Sequence, residues 1–124
     1  MKFQILCILI AVTLLTGCSS APEEAVPTFN ASEQQGQAVF KLRCAQCHAL
    51  TPETTVIGPS LAGIAERAAT RMKGYDAEAY IEHSILFPKD YLVEGFTDTM
   101  PTNFGKELTS EELSSVVAYL MTLK

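Results

Sequence analysis

Cys44-Ala45-Gln46-Cys47-His48 constrains this chain more than any other five residues. Two cysteines separated by two residues and followed directly by histidine form the attachment signature of c-type haem. The spacing suits that chemistry. Thiols three apart on one helical turn straddle a porphyrin edge as thioethers, and the adjacent imidazole reaches the iron as an axial ligand. A thioredoxin-like pair shares the C-x-x-C spacing, but it opens a helix after a strand, and no strand pattern precedes Cys44. A zinc site needs two further ligands at knuckle spacing, and His83 is the only histidine outside the motif. The motif therefore predicts one covalently bound haem c, attached through Cys44 and Cys47 with His48 beneath the iron.

The first residues predict export. Met1-Lys2 is a short positive start, and Ile5 to Leu15 is almost wholly apolar. A membrane span needs about 20 such residues, so this run has the length of a signal-peptide core instead. Leu15-Thr16-Gly17-Cys18 resembles a bacterial lipobox. That resemblance implies that 1–17 is a lipoprotein signal peptide and that Cys18, lipidated on its thiol, begins the mature protein. Cys7 is then discarded, Cys18 carries lipid, and Cys44 and Cys47 carry haem, which leaves no thiol for a disulfide.

Residues 18–31 contain Pro22, Pro27, Glu23 and Glu24 without periodicity, and are expected to be the lipidated N-terminus and a flexible tether. Its reach is roughly 45 Å when extended, which would keep a domain at 32–124 near its membrane. Loss of the signal segment removes one of the 9 basic residues and none of the 14 acidic ones. So acidic a chain is no partner for nucleic acid, whose phosphates need a basic surface.

Helical signals fill the rest. Ser32-Glu33-Gln34-Gln35 has the form of a capping box, and Gly36, Val39 and Phe40 give one apolar face leading into Cys44. Thr51 to Pro59 reads as a loop, and Leu61 to Ala65 as a short helix. Asp76 is a candidate N-cap for a helix with Ala77, Tyr80, Ile81, Ser84 and Ile85 on one stripe, stopped by Pro88. His83 falls off that stripe and is expected to be an exposed helical histidine. Tyr91 to Thr102 is irregular. Thr109-Ser110-Glu111-Glu112 is a second capping box, opening a helix with Leu113, Val116, Val117, Leu120 and Met121 at i, i+3, i+4, i+7 and i+8. No run alternates with period two, so the fold class is all-α.

A six-coordinate iron needs a second axial ligand, and Met72, Met100, Met121 and His83 are available. Met121 sits on an apolar helix stripe, and Met72 stands between Arg71 and Lys73. Met100 lies in a loop and precedes Pro101, whose ring stiffens the backbone on both sides of the bond. Met100 is the expected ligand, and Met paired with His raises the iron's potential.

Together, Gly36-x-x-x-Phe40, the haem motif, Gly58-Pro59-Ser60-Leu61, Met100-Pro101 and Val117-Ala118-Tyr119-Leu120 resemble class I cytochrome c. The Ser84-to-Pro88 and Tyr91-to-Pro101 stretches are further similar to the cytochrome c domain of haem–copper oxidase subunit II and to monohaem subunits of bacterial alternative complex III. The resemblance implies several helices wrapped around one haem, with His48 and Met100 as axial ligands and the Pro59 carbonyl orienting His48. It implies Gly36 and Phe40 packed across the last helix near Tyr119. It also implies a one-electron carrier, or a fixed subunit of a larger quinol-oxidising or oxidase complex. Its partners would be redox proteins, a quinol-side donor and a terminal oxidase or other acceptor, with no small-molecule substrate. Covalent haem attachment outside the cytoplasmic membrane agrees with the export signal, giving an extracytoplasmic, lipid-anchored protein.

One departure stands out. Mitochondrial-type relatives carry a lysine-rich face at the haem edge, whereas this chain is acidic. Lys41 to Lys89 holds six basic residues against five acidic, and Asp90 to Glu112 six acidic against one basic. That distribution fits either a dipolar molecule or ordinary solvated faces.

Overall fold

The computed structural model describes residues 28–124; the signal segment, Cys18 and most of the tether lie outside the described residues. Within them the chain forms α1 (Ala31–Arg43), α2 (Ile64–Arg67) followed by a 3-10 turn at Ala68–Thr70, α3 (Ala77–Leu86), α4 (Phe104–Glu107) and α5 (Ser110–Leu120). No strand occurs among the described residues, as the missing period-two pattern predicts.

α1 and α5 cross face to face. Gly36 is buried at the crossing, and a Cβ there would lie 2.8 Å from the Tyr119 Cβ and still closer to the Ser115 backbone. Absence of a side chain is what lets the two helices approach. On one side of that contact Phe40 packs against Tyr119 at 5.7 Å between ring centroids, and Phe29 meets the same ring edge-on at 5.6 Å. The last helix therefore buries Ser115 and Tyr119 besides the expected Val116, Val117 and Leu120.

α1 begins two residues before the Ser32 box. Asn30 is the N-cap, accepting from the Glu33 N–H at 3.0 Å, while the Glu33 carboxylate accepts from the Asn30 N–H at 2.8 Å. Asn caps as well as Ser, and this box closes with an ionised Glu where the Ser32 box offered Gln35. Phe29, Asn30 and Ala31, assigned to the tether from sequence, thus belong to the helical unit. Elsewhere the caps fall where the sequence put them: Asp76 accepts from the Ala79 N–H at 2.8 Å, and Thr109 and Glu112 form a reciprocal box. The short helix after Leu61 is displaced to Ile64–Arg67, and α4, a single turn, carried no sequence signal.

Val39, Phe40, Ile64, Ala68, Tyr80, Ile81, Ile85, Phe104, Val116, Val117, Tyr119 and Leu120 form the core. It is one-sided. α1 and α5 pack closely, whereas α2, α3 and the Tyr91–Pro101 segment stand around an apolar crevice that Leu120 reaches from behind.

Candidate functional site

The crevice is built outward from the end of α1. Cys44 is its C-cap, donating its N–H to Phe40 at 2.8 Å, and the chain turns so that the Cys47 and His48 amides both donate to the Cys44 carbonyl at 3.0 and 2.9 Å. One turn thereby presents two half-buried free thiols and an imidazole to the same cavity. Burial pushes the Cys44 thiol up to about 11; the neighbouring Cys47 adds to the rise and Arg43 opposes it. A thiol held neutral in an apolar wall suits an apolar neighbour.

His48 is oriented by the loop opposite. Its Nδ1 lies 2.8 Å from the Pro59 carbonyl oxygen. A carbonyl can only accept, so Nδ1 carries the proton and Nε2 keeps a free lone pair. That is the tautomer a metal requires. Gly58 leaves room for the ring: a Cβ at that position would lie 2.5 Å from the His48 Cε1. The loop is tied back by the Gly58 N–H, which donates to the Cys47 carbonyl at 2.9 Å.

Of the methionines among the described residues, Met100 alone lines the crevice with His48. Met72 and Met121, like Met100, are half-buried against the core, but they do not line the crevice. Met72 is partly buried against the core although the charged Arg71 and Lys73 flank it. His83 also lies outside the crevice, but it is not the exposed histidine expected. Its Nε2 pairs with Asp90 at 2.9 Å, and its ring lies 5.0 Å from both Tyr75 and Phe87. Asp90 follows the helix, where no i, i+4 pattern reveals it.

Sequence reasoning missed the polar end of the crevice. Arg67 and Arg71 both line it. The Arg67 guanidinium donates to the Ala62 and Ser60 carbonyls, and burial, then the charge of Arg71, lower its pKa. Neither arginine has a carboxylate partner among the described residues. Two neighbouring, partly buried cations make this end of the crevice electropositive and suited to an anion on whatever fills the cavity. Only their spacing of four on one turn of chain hinted at this.

The remaining walls are mainly apolar, with Leu61, Ile64, Ile81, Ile85, Phe96, Phe104 and Leu120, and carry a few hydroxyls, Ser84, Thr97 and Thr99 among them. A flat apolar group with an anionic edge, two sites for thioether formation and a metal at its centre fits this set of residues.

Comparison with known proteins agrees with that chemistry. The Cytochrome c family model matches residues 33–124, and the chain belongs to the cytochrome c family. Its cofactor is accordingly one covalently bound haem c. Cytochrome c 2.1 of Caenorhabditis elegans is 32% identical over 62 residues, 49% of this chain and 56% of that protein. Cytochrome c type-1 of Ascaris suum is 42% identical over 43 residues, 35% of this chain and 38% of that protein. Cytochrome c of Kluyveromyces lactis is 27% identical over 103 residues, 77% of this chain and 94% of that protein. The chain thus spans about half or less of the first two relatives. Among the described residues no helix is long and apolar enough to cross a membrane.

Proposed function

We propose that this chain is a one-electron carrier, held by lipid on Cys18 at the extracytoplasmic face of a bacterial membrane, in a respiratory or photosynthetic electron-transport chain. Cys44 and Cys47 would hold the porphyrin as thioethers, and His48 Nε2 and the Met100 sulfur would ligate its iron. When bound, haem c supplies a ferric/ferrous couple. The observation that supports the reading is the single crevice shared by His48, with its lone pair free, and Met100. Ligation by both side chains would leave the iron no position for a substrate, so the chain would carry electrons without making or breaking bonds. Pro59 holds the imidazole in its donor tautomer, and Arg67 and Arg71 hold the propionate carboxylates. The apolar walls exclude water, which favours the less charged, reduced centre. Redox proteins are its partners, a quinol-side donor and a terminal oxidase or other acceptor. Redox titration of the purified lipoprotein is expected to show one reversible one-electron couple in the range of His/Met haems. A ferrous form that binds CO readily at neutral pH would overturn the closed site.

A fixed subunit of a larger complex is the second reading, supported by apolar surface beside Cys47. Leu42 is 68% exposed and shares a surface depression with Cys47, while Ile57, 57% exposed, donates its N–H to the Cys47 carbonyl at 3.3 Å. Elution in mild detergent with stoichiometric companion chains would favour it, and elution alone the free carrier.

A further inference from the structure

Among the described residues one buried side-chain polar atom has no hydrogen-bond partner, the Ser84 Oγ. α3 presents Tyr80, Ile81, Ser84 and Ile85 to the crevice, so this hydroxyl faces it between two isoleucines. A mid-helix serine commonly turns its hydroxyl back to the i−4 carbonyl. Here it makes no such bond. Leaving a buried hydroxyl unpaired carries the full cost of its desolvation, so its partner belongs to whatever occupies the cavity.

Its place along the helix narrows the choice. Tyr80 lies one turn earlier on the same face and close enough to Arg67 to act on that guanidinium electrostatically. Ser84 stands one turn, about 6 Å, further along α3 and lines the same crevice as His48 and Met100. Of its neighbours on that face, Ile81 and Ile85 offer no side-chain acceptor, and the Tyr80 hydroxyl makes no hydrogen bond with it.

We propose that Ser84 is a positioning residue for electron transfer, its O–H donating into the crevice against the bound haem and favouring the reduced state; this rests on the carrier reading above. When one electron enters from a redox partner, iron passes from ferric to ferrous, no bond forms or breaks, and the Ser84 proton stays on its oxygen. The charge of the centre falls by one. A fixed dipole with its positive end towards that centre stabilises the lower charge, and water-free surroundings magnify the effect.

The test uses the haem-loaded protein with Ser84→Ala and Ser84→Thr, read by redox titration at pH 5, 7 and 9, by visible spectra of both oxidation states and by thermal unfolding. Ser84→Ala is expected to lower the equilibrium constant for reduction about three- to tenfold, equally at each pH because a serine hydroxyl does not titrate there. Ser84→Thr, which keeps the donor, is expected to stay within about twofold of the parent, and both spectra to remain low-spin. An unchanged or raised potential in Ser84→Ala overturns the proposal, as do equal losses in the two variants or a loss confined to one pH limb. Those results would leave the carrier reading standing. A parent protein without a one-electron couple would overturn both.

Discussion

The carbonyl of Pro59 and the Nδ1 of His48 lie 2.8 Å apart, which sets both the tautomer and the tilt of the imidazole. Gly58 makes that geometry possible, since the ring occupies the space where its Cβ would be. Gly58→Ala is expected to displace the ring and weaken axial ligation. Folding should be affected less than the spectrum, because Gly58 borders a cavity and not the α1–α5 contact. Visible and magnetic circular dichroism of the ferric variant checks this; an unaltered spectrum with full haem content would refute it.

Replacing Gly36 has the opposite signature. A methyl group there meets the Ser115 backbone, which cannot move without parting α1 from α5. Overpacking at such a contact typically costs 1–3 kcal/mol, and a clash with backbone belongs at the upper end. Gly36→Ala is expected to lose about 3 kcal/mol in denaturant unfolding, with the spectrum of the remaining folded protein unchanged.

The methionines separate ligand from core. Met100→Ala is expected to lower the midpoint potential by a sizeable share of the roughly 0.8 V over which axial ligands set haem potentials. It should also open the ferrous form to CO. Met72→Ala and Met121→Ala, at residues packed on the core, are expected to cost stability and leave the potential nearly unchanged. A Met100 variant with the parent's potential would exclude it as the ligand.

At the start of α5 the Glu112 carboxylate accepts from the Thr109 N–H, and this bond, followed by that to the Thr109 side chain, lowers its pKa. A depressed folded pKa contributes stability that is complete above the unfolded value, near 4.3, and is lost as pH falls through the folded value. Glu112→Gln is therefore expected to unfold earlier than the parent at pH 7, with the difference shrinking as pH drops below about 4. Urea midpoints at pH 3 and pH 7 measure it. A constant gap would show that the ionised carboxylate is not what stabilises the cap.

What could be read from sequence was local. The haem motif, the caps at Asp76 and Thr109 and the apolar stripes of α3 and α5 each involve residues within a few positions, where the helical repeat dictates who meets whom. Met100 stood out by elimination among loop and helix positions, and it lines the crevice. The sequence misplaced the start of α1, putting the cap at Ser32 and Asn30 in the tether; Phe29 packs on a residue 90 positions away, a contact that no local pattern reveals.

Tertiary structure alone decided the rest. Gly36 is required by a backbone at Ser115, the pairing of His83 depends on Asp90 beyond its own helix, and Arg67, Arg71 and Ser84 gain meaning only as walls of one cavity. The reason is physical: a cap or a stripe is a matter of periodicity, but desolvation and unpaired polarity depend on what the whole chain brings within a few ångströms. The residues of Cys44 to His48 determined that haem would be bound. Only the packing of α1 on α5 and of α3 around the crevice brought His48, Met100, Arg67 and Ser84 to one cavity.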